Sequence, residues 1–367
     1  MAIFEHIISA IDTHTSGEPT RIVLSGLPPI EGNTMTKKKQ YMMEHLDHFR
    51  TLLMHEPRGH KDMFGAIITP PTTDRGQYGL LFVHNSGYLD MCGHGIIGIT
   101  TALIEMGMIP KKEPYTIATF DTPAGLIKSR ARVECGRVAE VTLSNVPSFL
   151  YANAIELELP GIGEIAVDVS FGGNFFALVP AKSLGISINP NNIPKLVQLA
   201  MMIKKAVNEK VEVQHPIEKH ITEVDLVEIY DKPEPSRPVS KNAIIFGDGQ
   251  VDRSPCGTGI SAIMAMLYSK GELSLNEEFN DESIIGTRFK GKLINETRVG
   301  DFIAVEPIII GDAYITGIQQ FVIDPADPIK YGFVVGRTSL QRSQVFRQGM
   351  SSSFQLEDED EHSLLGR

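Results

Sequence analysis

One short pattern occurs twice in this chain and limits what it can fold into. Asp90-Met91-Cys92-Gly93-His94-Gly95 runs into IIGITTALIEMG, ending at Gly107, and Ser254-Pro255-Cys256-Gly257-Thr258-Gly259 runs into ISAIMAMLYSKG, ending at Gly271. In both copies glycines stand one and three residues after the cysteine, and another stands fifteen after it. Asp90 and Ser254, two residues before the cysteines, are good helix N-caps. Pro255 suits a first helical turn, where its missing N–H costs nothing, and Gly107 and Gly271 suit helix stops. The pattern reads as two related halves, each presenting one cysteine at the N-terminus of a buried, mostly apolar helix.

Around these helices the chain is rich in short β-like runs bounded by Gly, Pro, Asn and Asp: 21–26, 78–84, 115–120, 138–144 and 165–171, with a first strand near the N-terminus. Apolar residues at helical spacing predict one further helix over 194–208. The boundary between halves falls at Pro147-Ser148. The first half takes 1–146, with strands returning to it at about 328–348, and the second takes 147–327. The Pro-rich stretch at 231–238 reads as a loop, and the polar, acidic tail at 349–367 as disordered.

With 367 residues the chain can bury two cores. Its formal charge of −11 disfavours nucleic acid or an anionic membrane as a partner, and nothing resembles a membrane span or a signal peptide. Three cysteines, an odd number, fit reduced thiols in a cytoplasmic protein. Cys135, in the strand-like RARVECG, reads as a small core residue, and Met91, Met106, Met264 and Met266 read as core packing. A metal site is not expected, since there is no CxxC and no HExxH, and His55–His60 has the wrong spacing. That segment reads as a structured loop.

A thiol in the first turn of a helix faces the positive end of the helix dipole and unpaired backbone N–H groups. Its pKa is expected to fall below the free value of about 8.5, which suits general acid/base work. The glycines let a bound carboxylate approach the backbone N–H groups. Two such starts face to face would flank one carbon with a thiolate and a thiol. One would remove a proton and the other would deliver one to the opposite face, inverting the centre without a cofactor.

The chain resembles the proline racemase family over nearly its whole length except the tail. The resemblance rests on DTHTSGEPTR at 12–21, EPRGHKDMFGA at 56–66, MCGHG at 91–95, DTPAG at 121–125, SFGGNFFA at 170–177, VDLVEIY at 224–230, DRSPCGTG at 252–259 and DPADP at 324–328. It implies an α+β, diaminopimelate epimerase-like fold of two pseudo-symmetric domains, each a β-barrel around a central helix, and a homodimer. It implies Cys92 and Cys256 as the catalytic pair, with Gly93, His94, Gly257 and Thr258 holding a substrate carboxylate. Asp252, with His94, would hold the ring nitrogen. Cys256 stands where the dehydratase branch carries Thr, which favours racemisation. Phe246 and Leu226 give an apolar ring pocket that suits proline, whereas Gly95-Ile96 is closer to the 4-hydroxyproline 2-epimerase form. Glu18 reads as a paired structural carboxylate outside the site. The expected partner is therefore a small molecule, proline or 4-hydroxyproline, with no cofactor.

Gly93, Gly95 and Gly98 also satisfy GxGxxG, so a nicotinamide dehydrogenase is the rival from another class. That fingerprint needs a strand running directly into the glycines, and 85–90 intervenes here. The rival also leaves the second Cys-Gly-x-Gly unexplained.

Overall fold

The computed structural model describes residues 4–233 and 239–335. The acidic tail, the 336–348 part of the expected returning segment and most of the Pro-rich loop lie outside the described residues.

The first part of the chain forms β1 (His6–Thr15), β2 (Glu18–Ser25), α1 (Met35–His45), α2 (Asp47–Met54), β3 (Phe64–Thr69), β4 (Tyr78–His84), β5 (Gly87–Leu89), α3 (Gly93–Glu105), β6 (Tyr115–Thr122), β7 (Gly125–Glu134) and β8 (Arg137–Ser144). It is followed by β9 (Ser148–Leu159), β10 (Gly163–Phe171), β11 (Phe175–Pro180), α4 (Ile193–Lys210), β12 (Val224–Asp231), β13 (Ser240–Phe246) and β14 (Gln250–Val251). The last elements are α5 (Gly257–Ser269), β15 (Glu278–Glu282), β16 (Arg288–Val299), β17 (Phe302–Gly311) and β18 (Ala313–Ile323). The five β-like runs and the helix expected over 194–208 all lie on these elements.

Strands β9-β10-β11-β12-β13-β15-β16-β17 pair in that order, and β17 returns to β9, closing an eight-stranded barrel. Helix α5 runs through its middle. The other barrel pairs β18-β1-β2-β3-β4-β6-β7-β8 around α3, and β8 also pairs with the end of β17. Only Asp312 separates β17 from β18, so one nearly continuous ribbon passes from the second barrel to the first.

Both central helices are buried on every side, which their composition dictates. Residues 93–104 of α3 and 257–267 of α5 are inaccessible all round, as expected of helices without a polar face. Both end as anticipated, with Gly107 and Gly271 at φ of +73° and +71°. That left-handed conformation costs glycine nothing.

Two side chains depart from expectation. Cys135 is exposed, because Cys135 and Gly136 (φ +50° and +74°) form the tight turn of the β7–β8 hairpin. The positive φ at both turn positions matches the right-handed twist of the strands. Met106 is 43% exposed at the C-cap of α3, while Met91, Met264 and Met266 are fully buried.

Candidate active site

The two helix starts meet tip to tip. A Cβ built on Gly93 would lie 2.7 Å from the Gly257 Cα, and one on Gly257 would lie 3.0 Å from the Gly93 Cα. No residue with a side chain fits at either position without moving backbone. Both cysteines are almost inaccessible, and they share one apolar cluster with Leu226 and Phe246.

The helices begin later than the sequence suggests. The N-caps are Cys92 and Cys256, not Asp90 and Ser254. Glycine directly after each cysteine lets the helical turn start there, so residues 90–91 and 254–255 stay outside. Asp90 instead pairs with Lys39 at 2.8 Å, and His220 approaches it at 3.6 Å. Ser254 Oγ donates to Asp252 Oδ1 at 2.8 Å and accepts from the Cys256 N–H at 3.1 Å. Pro255 precedes the cap rather than occupying the first turn.

Around Cys92, the Gly95 N–H donates to the sulfur at 3.2 Å, and the His94 ring nitrogens lie 3.3 and 3.4 Å from it. His94 Nδ1 also lies 3.6 Å from Asp252 Oδ2. Thr15 Oγ1 donates to the His94 carbonyl at 2.9 Å. Around Cys256, Thr258 Oγ1 stands 3.4 Å from the sulfur. The Phe64 ring packs edge-on against His94 at 4.6 Å and against Phe246 at 6.3 Å, making an apolar wall. Leu226 and Phe246 alternate in register with Val227 and Ile245, which pair across β12 and β13 and belong to a different cluster. Leu226 and Phe246 therefore point to the α5 side of the sheet.

The expected lowering of both thiol pKa values is not what the surroundings give. Burial pushes both thiols up, outweighing the N–H and hydroxyl donors that favour the thiolate. For Cys92 the nearby Asp252 and Glu18 carboxyls add to the rise, opposed by the Gly95 and His94 N–H groups. For Cys256, Asp252 and Cys92 add to it, opposed by Thr258 and Gly259.

Two buried carboxyls escaped the sequence reading as parts of this region. Glu18 is completely inaccessible; its Oε2 accepts the Arg253 N–H at 2.7 Å, and burial with neighbouring Asp252 pushes its pKa up. It is thus a partnered structural carboxyl whose charge also bears on Cys92. Glu228 is equally buried, with Oε2 2.8 Å from where a Cβ on Gly259 would sit. Burial and Asp281 push it up.

The dinucleotide fingerprint finds no support. Its glycines are inside α3 and used for packing: a Cβ on Gly98 would lie 2.8 Å from Thr13 Oγ1, and one on Gly95 3.1 Å from Phe82. The only strand just before them is the three-residue β5.

Comparison with known proteins agrees with this geometry. A family profile described as proline racemase matches residues 10–334. The chain is 52% identical over 332 residues to a proline racemase of Clostridioides difficile, covering 90% of this chain and 99% of that one. It is 43% identical over 331 residues to a 4-hydroxyproline 2-epimerase of Streptosporangium roseum, covering 90% and 99%. A solved structure of a hydroxyproline epimerase from Agrobacterium vitis, with bound trans-4-hydroxy-L-proline, superposes with a TM-score of 0.86. It is 33% identical, and the match covers 91% of this chain and 97% of that one. Fold and likeness together define an isomerase of the amino-acid racemase and epimerase class, with the α+β, diaminopimelate epimerase-like fold. The chain belongs to the proline racemase family.

Proposed function

We propose that this chain is a cofactor-independent racemase that inverts the α-carbon of proline, with Cys92 and Cys256 as its two acid/base groups. The observation that carries the reading is the tip-to-tip approach of two glycine-flanked helix starts, each capped by a cysteine. A carboxylate seated there would meet N–H groups from both first turns, which would also stabilise charge building up as the α-proton leaves. One thiolate would take that proton, and the opposite thiol would return one to the other face. Asp252 and His94 would hold the ring nitrogen. Because burial favours the neutral thiols, the cationic ring nitrogen of the substrate supplies the charge that makes one thiolate accessible.

Proline is favoured over 4-hydroxyproline by the wall of Phe64, Phe246 and Leu226. A 4-hydroxyl buried there without a partner costs about 1–3 kcal/mol. The relatives named for hydroxyproline epimerisation support the second reading, 4-hydroxyproline 2-epimerase by the same chemistry. Action as a homodimer in a reducing cytoplasm belongs to the same proposal. Polarimetry with L-proline and with trans-4-hydroxy-L-proline, without added cofactor, decides between the two. Faster turnover of the hydroxylated substrate overturns the proline assignment, and loss of rotation with neither overturns both.

A further inference from the structure

The two-thiol scheme requires each sulfur to be aimed at one carbon, and the cysteine side chains cannot do that alone. In each half the carbonyl just before the cysteine is taken by an asparagine amide. Asn174 Nδ2 donates to Met91 O at 2.9 Å, and Asn242 Nδ2 donates to Pro255 O at 2.8 Å. Both asparagines are buried, at 0% and 1% exposure. Neither belongs to the twin sequence pattern, and they come from different places. Asn242 lies in β13, within the barrel that surrounds α5. Asn174 sits in the turn between β10 and β11 and reaches across to the cysteine loop of the other barrel.

We propose that Asn174 and Asn242 are a matched pair of positioning residues, each fixing the peptide that leads into one cysteine. The inference rests on Cys92 and Cys256 being the acid/base pair. A peptide unit is planar, so holding its carbonyl oxygen sets the plane from which the next residue's φ is measured. The need is greatest at Cys256, whose φ of +63° is a conformation that L-residues seldom adopt. There the Pro255–Cys256 peptide is held at both ends. Asn242 takes the oxygen, and Ser254 Oγ takes the N–H at 3.1 Å. Asn242 is anchored in turn, since its Nδ2 also donates to Asp281 Oδ2 at 2.6 Å. Cys92 has an ordinary extended φ of −147°, so Asn174 orients the peptide there without opposing strain.

The test is site-resolved alkylation of the full chain with iodoacetamide, read by peptide mass spectrometry. Exposed Cys135 serves as the internal reference. Asn174→Ala shifts the Cys92 rate relative to Cys135 and leaves that of Cys256 in place, and Asn242→Ala does the reverse. In the racemase assay each substitution lowers kcat about 10- to 100-fold, with KM changed less than about threefold, because a misaimed group costs rate more than binding. General loosening of the fold would move both thiols together, and that result, or no shift in either thiol, overturns the proposal. Where an alanine variant does not fold, Asn→Ser at the same position is read by the same ratio. Failure of the two-thiol reading shows separately, as full racemisation in Cys92→Ser or Cys256→Ser, while the alkylation ratios still report on the clamps.

Discussion

At the start of α3, Cys92 has φ −147° and its sulfur accepts the Gly95 N–H; at the start of α5, Cys256 has φ +63° and no such capping bond. His94 stands beside the first sulfur and Thr258 beside the second, while Asp252 bears on both. What the two starts share is the glycine that permits backbone contact and the cysteine at the cap. The repeat has kept what both helices must supply and let the surroundings diverge. A racemase can tolerate such divergence, because its two mirror-image substrates differ only in which face of the carbon bears hydrogen.

The largest effect is expected from replacing either sulfur. Cys92→Ser and Cys256→Ser should each lower racemisation by at least about 10²- to 10⁴-fold, the usual share of general acid/base catalysis, as followed by polarimetry. Near-equal losses sharpen the comparison, since the proposed scheme uses each thiol in both directions, and retained activity in either variant breaks it.

Next comes the contact between the tips. Gly93→Ala places its Cβ closer to opposing backbone than Gly257→Ala does. Both should destabilise the fold by about 1–3 kcal/mol, as overpacking does, with Gly93→Ala the worse in thermal melts. Equal or negligible shifts would mean the tips are further apart.

The thiols' titration separates burial from the helix termini. Burial raises both, so in the free enzyme each stays protonated to higher pH than an unperturbed thiol. Alkylation of Cys92 and Cys256 should therefore climb with a midpoint above about 8.5. A midpoint below that value would show the helix termini prevailing.

The smallest effect concerns Glu228. Burial holds it protonated in the fold, whereas in the unfolded chain it ionises near about 4.3. Unfolding then releases a proton, so stability falls as pH rises above the unfolded value. Glu228→Gln mimics the neutral form and should raise Tm more at pH 7 than at pH 4. An equal change at both would mean the carboxyl is ionised in place.

The two central helices, the helix over 194–208 and six of the eighteen described strands were legible because glycine spacing and apolar periodicity are local signals. The helix starts were misplaced by two residues because Asp90 and Ser254 are good caps in isolation, but distant Lys39 claims the first and neighbouring Asp252 the second. Cys135 was read as core because RARVE alternates like a strand; the following glycine was the clue to a turn. Glu18 reads from the sequence only as a structural carboxylate, and Glu228, Asn174 and Asn242 give no signal of their own. Their roles depend on partners far away in sequence, and a buried carboxyl or amide looks like any other in a string of letters. Thiol pKa values depend in the same way on burial that no helix-start motif reveals.

The hairpin turn that carries Cys135 to the surface has a practical side. Two thiols lie enclosed and one faces water, so a bulk thiol titration of the native enzyme counts the outside sulfur first. On storage in air, that sulfur is also the one positioned to link two molecules covalently. An oxidised species of doubled mass on a non-reducing gel would then report the turn and not the association state. Replacing Cys135 with serine would give a preparation whose remaining thiol signal comes from the enclosed pair.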